Sequence, residues 1–472
     1  MARKSIYANL ITIGSYNYSH TFLRFLASAI IARFLDPEEY GIVAMITVFT
    51  GFISYFKDSG ISYVIIREDY GDRLHRLVQW LSVLIGLCLM ILIVLLAYPI
   101  ALFYNEPLLF LPTCIISSVI LIEATNVVPM AVLRKEQRFK EVGQVLFVGY
   151  VSGSLVTILM AYLDFSYWSL IFGQLISVII IFVLLQRRVP LFLGKISYVS
   201  VQVAWRKVRH TTMNISSSRF IQYWSSNADN LIIGKFFGPY SLGIYSRAYQ
   251  LLIMQMNLIS GVFNTVLLPS LKEHKKISTN QLIKEYSDTL KLMALLILPV
   301  TISLVLFSES VVILIWGEAW KSVAPIAAYF GVLSIPFVLS RTFGNIYVLL
   351  NQENLLFRLG IFSSTLTVAA ILFGSLFGLE TVAFSLSMVF VILILPVTLY
   401  FAFYRTFQFN PLDIIYFWGS KIILSSAILV GLFLETQALT HIALALLSLE
   451  IIFNGRNHLF KVFNRLNSWI RN

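Results

Sequence analysis

Long apolar runs alternate with short polar breaks along the whole of the 472-residue chain. A membrane-crossing helix needs about 20 mostly apolar residues, and by that measure about fourteen segments qualify. Their centres lie near Thr21, Phe49, Met90, Val119, Ser152, Ser177, Tyr223, Leu258, Ile302, Val332, Thr365, Val391, Ser425 and Ala443. The runs are too long for barrel strands, so the predicted fold class is all-α, a polytopic membrane protein. Arg3 and Lys4 precede the first run, which continues without a small-residue cleavage site. That pattern predicts a first span and not a removed signal peptide.

Between the first and second runs the chain reads ARFLDPEEYGI, Ala32 to Ile42, and between the seventh and eighth it reads GKFFGPYSLGI, Gly234 to Ile244. Arg33 answers to Lys235, Pro37 to Pro239 and Gly41 to Gly243, an ungapped offset of 202 residues. An even number of spans separates the copies, so both point the same way and the chain holds two parallel repeats, an arrangement known from transporters. The expected organisation is an N-lobe of six helices over 1–190, a linker over 191–210, a C-lobe of six helices over 211–408, and two further helices with a basic tail over 409–472. Each copy of the phrase is expected to close a turn between two helices, the proline ending or restarting a helix and the glycine permitting a sharp outside turn. Pro129, Pro299, Pro336 and Pro396 fall inside later spans, where they bend helices.

Composition agrees with the pattern: 58% hydrophobic and 12% charged residues, with a mean hydropathy of +0.82. The net charge of +12 would suit nucleic acid if it were gathered on one face, but it is spread by topology. With the N-terminus inside, 24 of the 35 Lys and Arg fall in inside segments, from Arg3 to Arg471, while the outside loops hold only Lys321. The positive-inside rule then puts both termini in the cytoplasm, and the charge serves orientation and anionic lipid contact. The outside connections are turns too short to form a domain. Cys88 and Cys114 both lie in apolar runs and predict no disulfide framework.

Polar residues inside the spans are not scattered. In the first, Asn17, Thr21, Arg24 and Ser28 follow spacings that share one helical face. Adding the repeat offset gives Arg219, Tyr223, Ser226 and Asn230 in the seventh, with Gln222 and Asp229 beside them. Thr47, Thr50, Ser54 and Lys57 stripe the second helix, and Arg247, Gln250, Asn257 and Asn264 lie along the eighth. A cation at the centre of a span costs at least about 2.5–3.5 kcal/mol. Arg33, Lys235 and Lys421 are near span ends and are expected to snorkel. Arg24, Lys57 and Arg219 lie deeper and predict a water-filled, cationic cavity fitted to an anion, since arginine can hold a phosphate with two parallel bonds and lysine adds a mobile charge. Arg341, with Ser340, Thr342 and Asn345, is a lesser candidate. Asp229 is the candidate for binding a coupling cation or a proton, and Asp58, before a helix break at Gly60, is expected to pair with a neighbouring base or to act in the same way.

Enzyme signatures are missing: there is no GxxxxGK[ST], HExxH, CxxC or GxSxG. His20 is the only histidine well inside a span, and one histidine makes no metal site. No catalysis and no bound cofactor or metal is expected.

The phrases ARFLDPEEYGIVAMITVF, FKDSGISYVIIRE and NADNLIIGKFFGPYSLGIYSRAYQL resemble the Wzx-type polysaccharide flippases, in particular the branch of colanic-acid and teichuronic-acid exporters within the multidrug/oligosaccharidyl-lipid/polysaccharide (MOP) superfamily. The likeness extends over essentially the whole chain in length and topology. It implies a bacterial inner-membrane protein that flips an undecaprenyl-diphosphate-linked oligosaccharide to the outer leaflet, with two six-helix lobes around a central cationic cavity. It also implies that helices 1, 2, 7 and 8 line that cavity, so Arg24, Lys57, Arg219 and Arg247 are expected to bind the diphosphate, and Asn17, Thr21, Ser28, Gln222, Tyr223 and Ser226 to face sugar. Energy would come from the membrane potential, H+ or Na+. Expected partners are the lipid-linked oligosaccharide, membrane lipids and the polysaccharide polymerase and assembly machinery, with no nucleic acid, and the chain is expected to be a monomer. The competing readings are a lipid II flippase or a cation-coupled drug exporter of the same superfamily, and, from another class, a polytopic glycan polymerase or ligase. An exporter of organic cations calls for acids in its cavity, whereas bases outnumber them here.

Overall fold

The structure is a computed structural model that describes residues 23–58, 60–67, 71–190, 198–262, 279–344, 347, 352–401 and 418–471. Every regular element among them is helical. The chain divides into two compact units, Met1–Gly243 and Ile244–Asn472.

The first unit contains α1 (23–31), α2 (Pro37–Ser54), α3 (Ile61–Arg67), α4 (Gly71–Tyr104), α5 (Phe110–Lys135), α6 (Phe139–Tyr162), α7 (Trp168–Arg188) and the first arm of α8 (Tyr198–Val262). Successive long helices pair as hairpins, α4 on α5 and α6 on α7, and α5 also packs on α7. At one end of these hairpins Ile61, Ile65, Val78, Ala131, Val145 and Leu185 form a fully closed apolar core. Farther out, Leu95, Leu102, Leu155 and Leu159 are exposed, a wide apolar surface that only lipid can cover.

α8 is two helices joined at a break, Gly238, whose φ of +80° and ψ of −176° no helix accommodates. Gly238 stands at the place that Asp36 holds in the first copy of the repeated phrase. There α2 opens with Pro37 at its first position, and the Glu39 carboxylate accepts the Asp36 backbone N–H at 2.8 Å. The two copies make the same turn by different means. They also meet. A Cβ placed on Gly41 would lie 1.7 Å from the carbonyl oxygen of Pro239, and one on Gly243 would lie 1.8 Å from that of Pro37. The glycine of each copy is thus seated on the proline of the other, a reciprocal contact that only hydrogen side chains allow.

The second unit holds the remainder of α8, α9 (Thr279–Leu306), α10 (Ser308–Trp316), a 3-10 turn (Glu318–Val323), α11 (Ala324–Ser340), α12 (Glu353–Ser375), α13 (Leu379–Val389), a π turn (Phe390–Ile394) running into α14 (Leu395–Leu399), α15 (Ser420–Phe433) and α16 (Gln437–Arg471). The span containing α11 is 83% buried and that of α12 only 17%, so α11 is the hub of this unit and α12 its lipid-facing flank. Pro129, Pro299 and Pro336 sit inside continuous helices, while Pro396 follows the π turn.

Nine helices among the described residues are long and apolar enough to cross a bilayer, with α15 a shorter apolar one. The predicted count of fourteen is therefore not reached on that criterion. α2 and the two arms of α8 occupy the predicted centres near Phe49, Tyr223 and Leu258, and Thr21 lies outside the described residues. α2 is less apolar than the nine because Glu38 and Glu39 fill its first turn. The predicted linker is helical from Tyr198 onward. One expectation is corrected: Lys421 does not snorkel. It is 5% exposed, and its Nζ lies 2.6 Å from the Glu450 carboxylate, which ties α15 to α16.

Candidate functional site

The first unit gathers four polar side chains from four separate segments. α2 ends at Ser54, and the chain turns through 55–58 to Gly60, whose φ of +77° breaks the helical path as the FKDSG phrase predicts. Asp58 accepts the Ser62 backbone N–H at 2.9 Å and so caps α3. That turn carries Lys57, whose Nζ lies 2.5 Å from Glu123 Oε2 on α5. Arg24, exposed on α1, has its guanidinium carbon 5.9 Å from the ring centroid of Tyr150 on α6. Tyr150 is in electrostatic reach of Arg24 and of Glu123. Arg24 and Lys57 face one acid, Glu123, across the cluster while Asp58 of the same turn is directed to the cap of α3, and the Lys57–Glu123 pair keeps 26% and 30% of its side-chain surfaces open. Such a site can take up an anion.

Glu123 and Tyr150 were not among the predicted site residues. Glu123 had a signal: an acid in the middle of ILIEATN carries the same membrane cost that singled out Arg24 and Lys57. Tyr150 had none, because a tyrosine in a span is ordinary.

The other predicted residues fall in different surroundings. Tyr223 is buried, its hydroxyl donating to the Val48 carbonyl at 2.5 Å and its ring 5.6 Å and 5.3 Å from those of Phe52 and Tyr55. It therefore bolts the first arm of α8 to α2. Farther along the same arm, Lys235 donates to the Phe103 carbonyl. Asp229 is buried on the same arm, and its Oδ1 accepts the Asn230 N–H at 2.8 Å. Ser28 is half-buried on α1. Arg247, in the second unit, is buried with its guanidinium 5.8 Å from the Trp316 ring and 5.3 Å from that of Trp320, and it donates to Gln250 Oε1 at 2.7 Å. Arg341 is exposed over the Phe337 ring at 4.7 Å. Asn17 and Thr21 lie outside the described residues, as do the side chains of Arg219, Gln222 and Ser226 on the helical backbone of α8. Among the described residues, no three His, Cys, Asp or Glu side chains converge as a metal ion would need.

A sequence profile described as "Polysaccharide biosynthesis protein" matches residues 30–325. The chain is 25% identical over 355 residues to the teichuronic acid biosynthesis protein TuaB of Bacillus subtilis (strain 168), covering 71% of this chain and 70% of that one. It is 20% identical over 379 residues to the lipopolysaccharide biosynthesis protein WzxC of Escherichia coli (strain K12), covering 79% and 74%. A membrane protein from a cps region of Klebsiella pneumoniae is 23% identical over 313 residues, 64% of this chain, and the match spans 62% of that relative's length. Among solved structures, the lipid II flippase MurJ in an inward closed conformation superposes with a TM-score of 0.68 at 14% identity, over 95% of this chain and all of that one. An inward-facing multidrug transporter of the MATE family in the MOP superfamily gives 0.61 at 16%, over 84% and 95%. At such identities these likenesses establish the fold, the helical architecture of the MOP transporters.

Proposed function

Because the chain belongs to the polysaccharide biosynthesis protein family, whose profile covers residues 30–325, we propose that it is a flippase and not an enzyme. In this reading it carries an undecaprenyl-diphosphate-linked oligosaccharide from the cytoplasmic to the outer leaflet of a bacterial inner membrane. Both termini are cytoplasmic, and the finished repeat unit is handed to polymerase and assembly machinery outside.

The physics calls for such a protein. A diphosphate and its sugars cannot pass about 30 Å of hydrocarbon unaided, whereas the polyprenyl tail can stay in lipid. What is needed is a hydrated cationic path for the headgroup and alternating exposure of that path to the two sides. The observation that carries the reading is the partly open cluster in which Arg24 and Lys57 meet Tyr150 and Glu123 inside a membrane-embedded bundle, in a fold shared with a lipid II flippase. Arg24 and Lys57 hold the diphosphate, with Arg219 and Arg247 assigned the same role from the second repeat. Asn17, Thr21, Ser28, Gln222 and Ser226 face sugar in the same scheme, and Tyr223 keeps its cavity edge in place. The drive is H+, Na+ or the membrane potential, and Asp229 is the residue assigned to ion coupling.

The test is glycan export in a flippase-null strain. Arg24→Ala and Lys57→Ala, each confirmed at normal membrane levels, are expected to lower export at least about tenfold, the loss that follows when a charge-assisted phosphate contact worth about 1.5–3 kcal/mol is removed. Normal export from both would remove the cationic site from the mechanism.

A further inference from the structure

Among the described residues, two lysine–glutamate pairs lie within the helical bundles, and they differ in exposure. Lys421 and Glu450 meet at 2.6 Å with 5% and 21% of their side-chain surfaces exposed, while Lys57 and Glu123 meet at 2.5 Å with 26% and 30% exposed. The chemistry is the same, but the first pair is sealed and the second can be reached.

The backbone beneath them differs too. Lys421 and Glu450 both stand on regular helices. Glu123 sits in the middle of the unbroken α5, but Lys57 projects from the turn between α2 and α3, just before the Gly60 break. A long, flexible ammonium on a turn faces a carboxylate on a rigid rod. Such a lysine can swing to another anion without moving the helix that bears its first partner. Tyr150 has the Arg24 guanidinium over its ring and is in electrostatic reach of Glu123. A single carboxylate occupies Lys57 and leaves Arg24 on the ring. A diphosphate, with more charge and several more acceptor oxygens than one carboxylate, is the stronger competitor for the lysine.

We propose that Glu123 is an internal stand-in for the substrate's diphosphate. It neutralises Lys57 while the site is empty, yields that lysine when the headgroup arrives, and takes it back as the headgroup leaves. The proposal rests on the diphosphate reading above and extends it with a positioning residue. Its use is in release. A cationic site within the membrane that had no competitor would hold a diphosphate too tightly to turn over, whereas a resident carboxylate lowers affinity by the fraction of time that it occupies the lysine.

The experiment uses the purified full chain in nanodiscs, with farnesyl diphosphate as the probe in calorimetric titration. Variants are Lys57→Ala, Glu123→Gln and the exchanged pair Lys57→Glu with Glu123→Lys. Freeing the lysine from a half-open ion pair should make Glu123→Gln bind the probe about two- to fivefold tighter than the parent, and Lys57→Ala should bind more weakly. The exchanged pair restores the attraction but leaves the base on α5, so it should keep the parent's thermal midpoint and still bind like Lys57→Ala. If the exchange restores binding, or if Glu123→Gln binds no tighter and merely melts earlier, the pair is a structural tie and the stand-in role is overturned. If the parent itself does not bind the diphosphate, it is the proposed substrate chemistry that fails, and this inference falls with it.

Discussion

At the scale of single residues, the membrane interior makes every charge a statement about a partner. Lys421 has Glu450, and with the lysine almost fully enclosed the pair behaves as a buried one. Removing one member of such a pair strands the other, which is more damaging than removing both. Lys421→Met is therefore expected to destabilise the protein by about 2–3 kcal/mol, somewhat less than for a fully enclosed pair because Glu450 keeps 21% of its side-chain surface exposed. Lys421→Met combined with Glu450→Leu should recover most of that loss, as read by thermal midpoints in detergent; a double variant no better than the single would mean that the helices are not held by this contact. Residue-scale chemistry was only half legible in the sequence. A charge in an apolar run can be seen at once, as Arg24 and Lys57 were, but its partner cannot. Glu123 is 66 positions from Lys57 and Glu450 is 29 from Lys421, and no local pattern links either pair. Lys421 therefore read as a snorkelling end residue when it is a buried tie.

At the scale of elements, the central fact is the crossing of the two repeated turns. Gly41 and Gly243 are equivalent in sequence, each pressed on the proline carbonyl of the other copy, and a methyl group at either would sit inside that oxygen's contact radius. The clash is with backbone, which has no rotamer to change. Gly41→Ala and Gly243→Ala should each cost about 1–3 kcal/mol, the range for overpacking a close contact. Both strains are relieved by the same small separation of residues 37–41 from residues 239–243. The double variant should then melt only slightly below the worse single one, so that the effects fall well short of additive. Full additivity in thermal midpoints would show two independent contacts. The repeat was legible because ARFLDPEEYGI and GKFFGPYSLGI share a register, as were the break at Gly60 and the turn at Gly238. The crossing was not, since a sequence offset says which residues are equivalent and is silent on whether equivalents touch. Equally hidden was the bolt from Tyr223 to the Val48 carbonyl, which turns a residue read as a cavity polar group into part of the helix contact.

At the scale of the whole molecule, the helical fold and the kinship were largely open to a reader of the sequence: the apolar runs gave a polytopic helical protein, and the phrase NADNLIIGKFFGPYSLGIYSRAYQL pointed to the Wzx-type flippases that the match to WzxC and TuaB supports. What the sequence supplies for direction is charge. The segments that the charge pattern assigns to the inside carry 24 of the 35 Lys and Arg, and the proposed loading at the cytoplasmic face needs an orientation fixed by such an imbalance. That assignment puts the turn at Asp164–Tyr167 and the one before Gln437 outside, and the 134–140 connector inside. Phe165, Gln437 and Lys140 are all exposed, so each can be changed to cysteine in a background with Cys88→Ala and Cys114→Ala. A membrane-impermeant maleimide applied to intact cells should label the thiol at Phe165 and at Gln437, and should reach the one at Lys140 only after permeabilisation. Labelling at Lys140 in intact cells with protection at the other two would invert the chain. The charge argument would then fail at its root, and with it the direction of transport, because the basic segments taken to fix the cytoplasmic face would lie on the outer one.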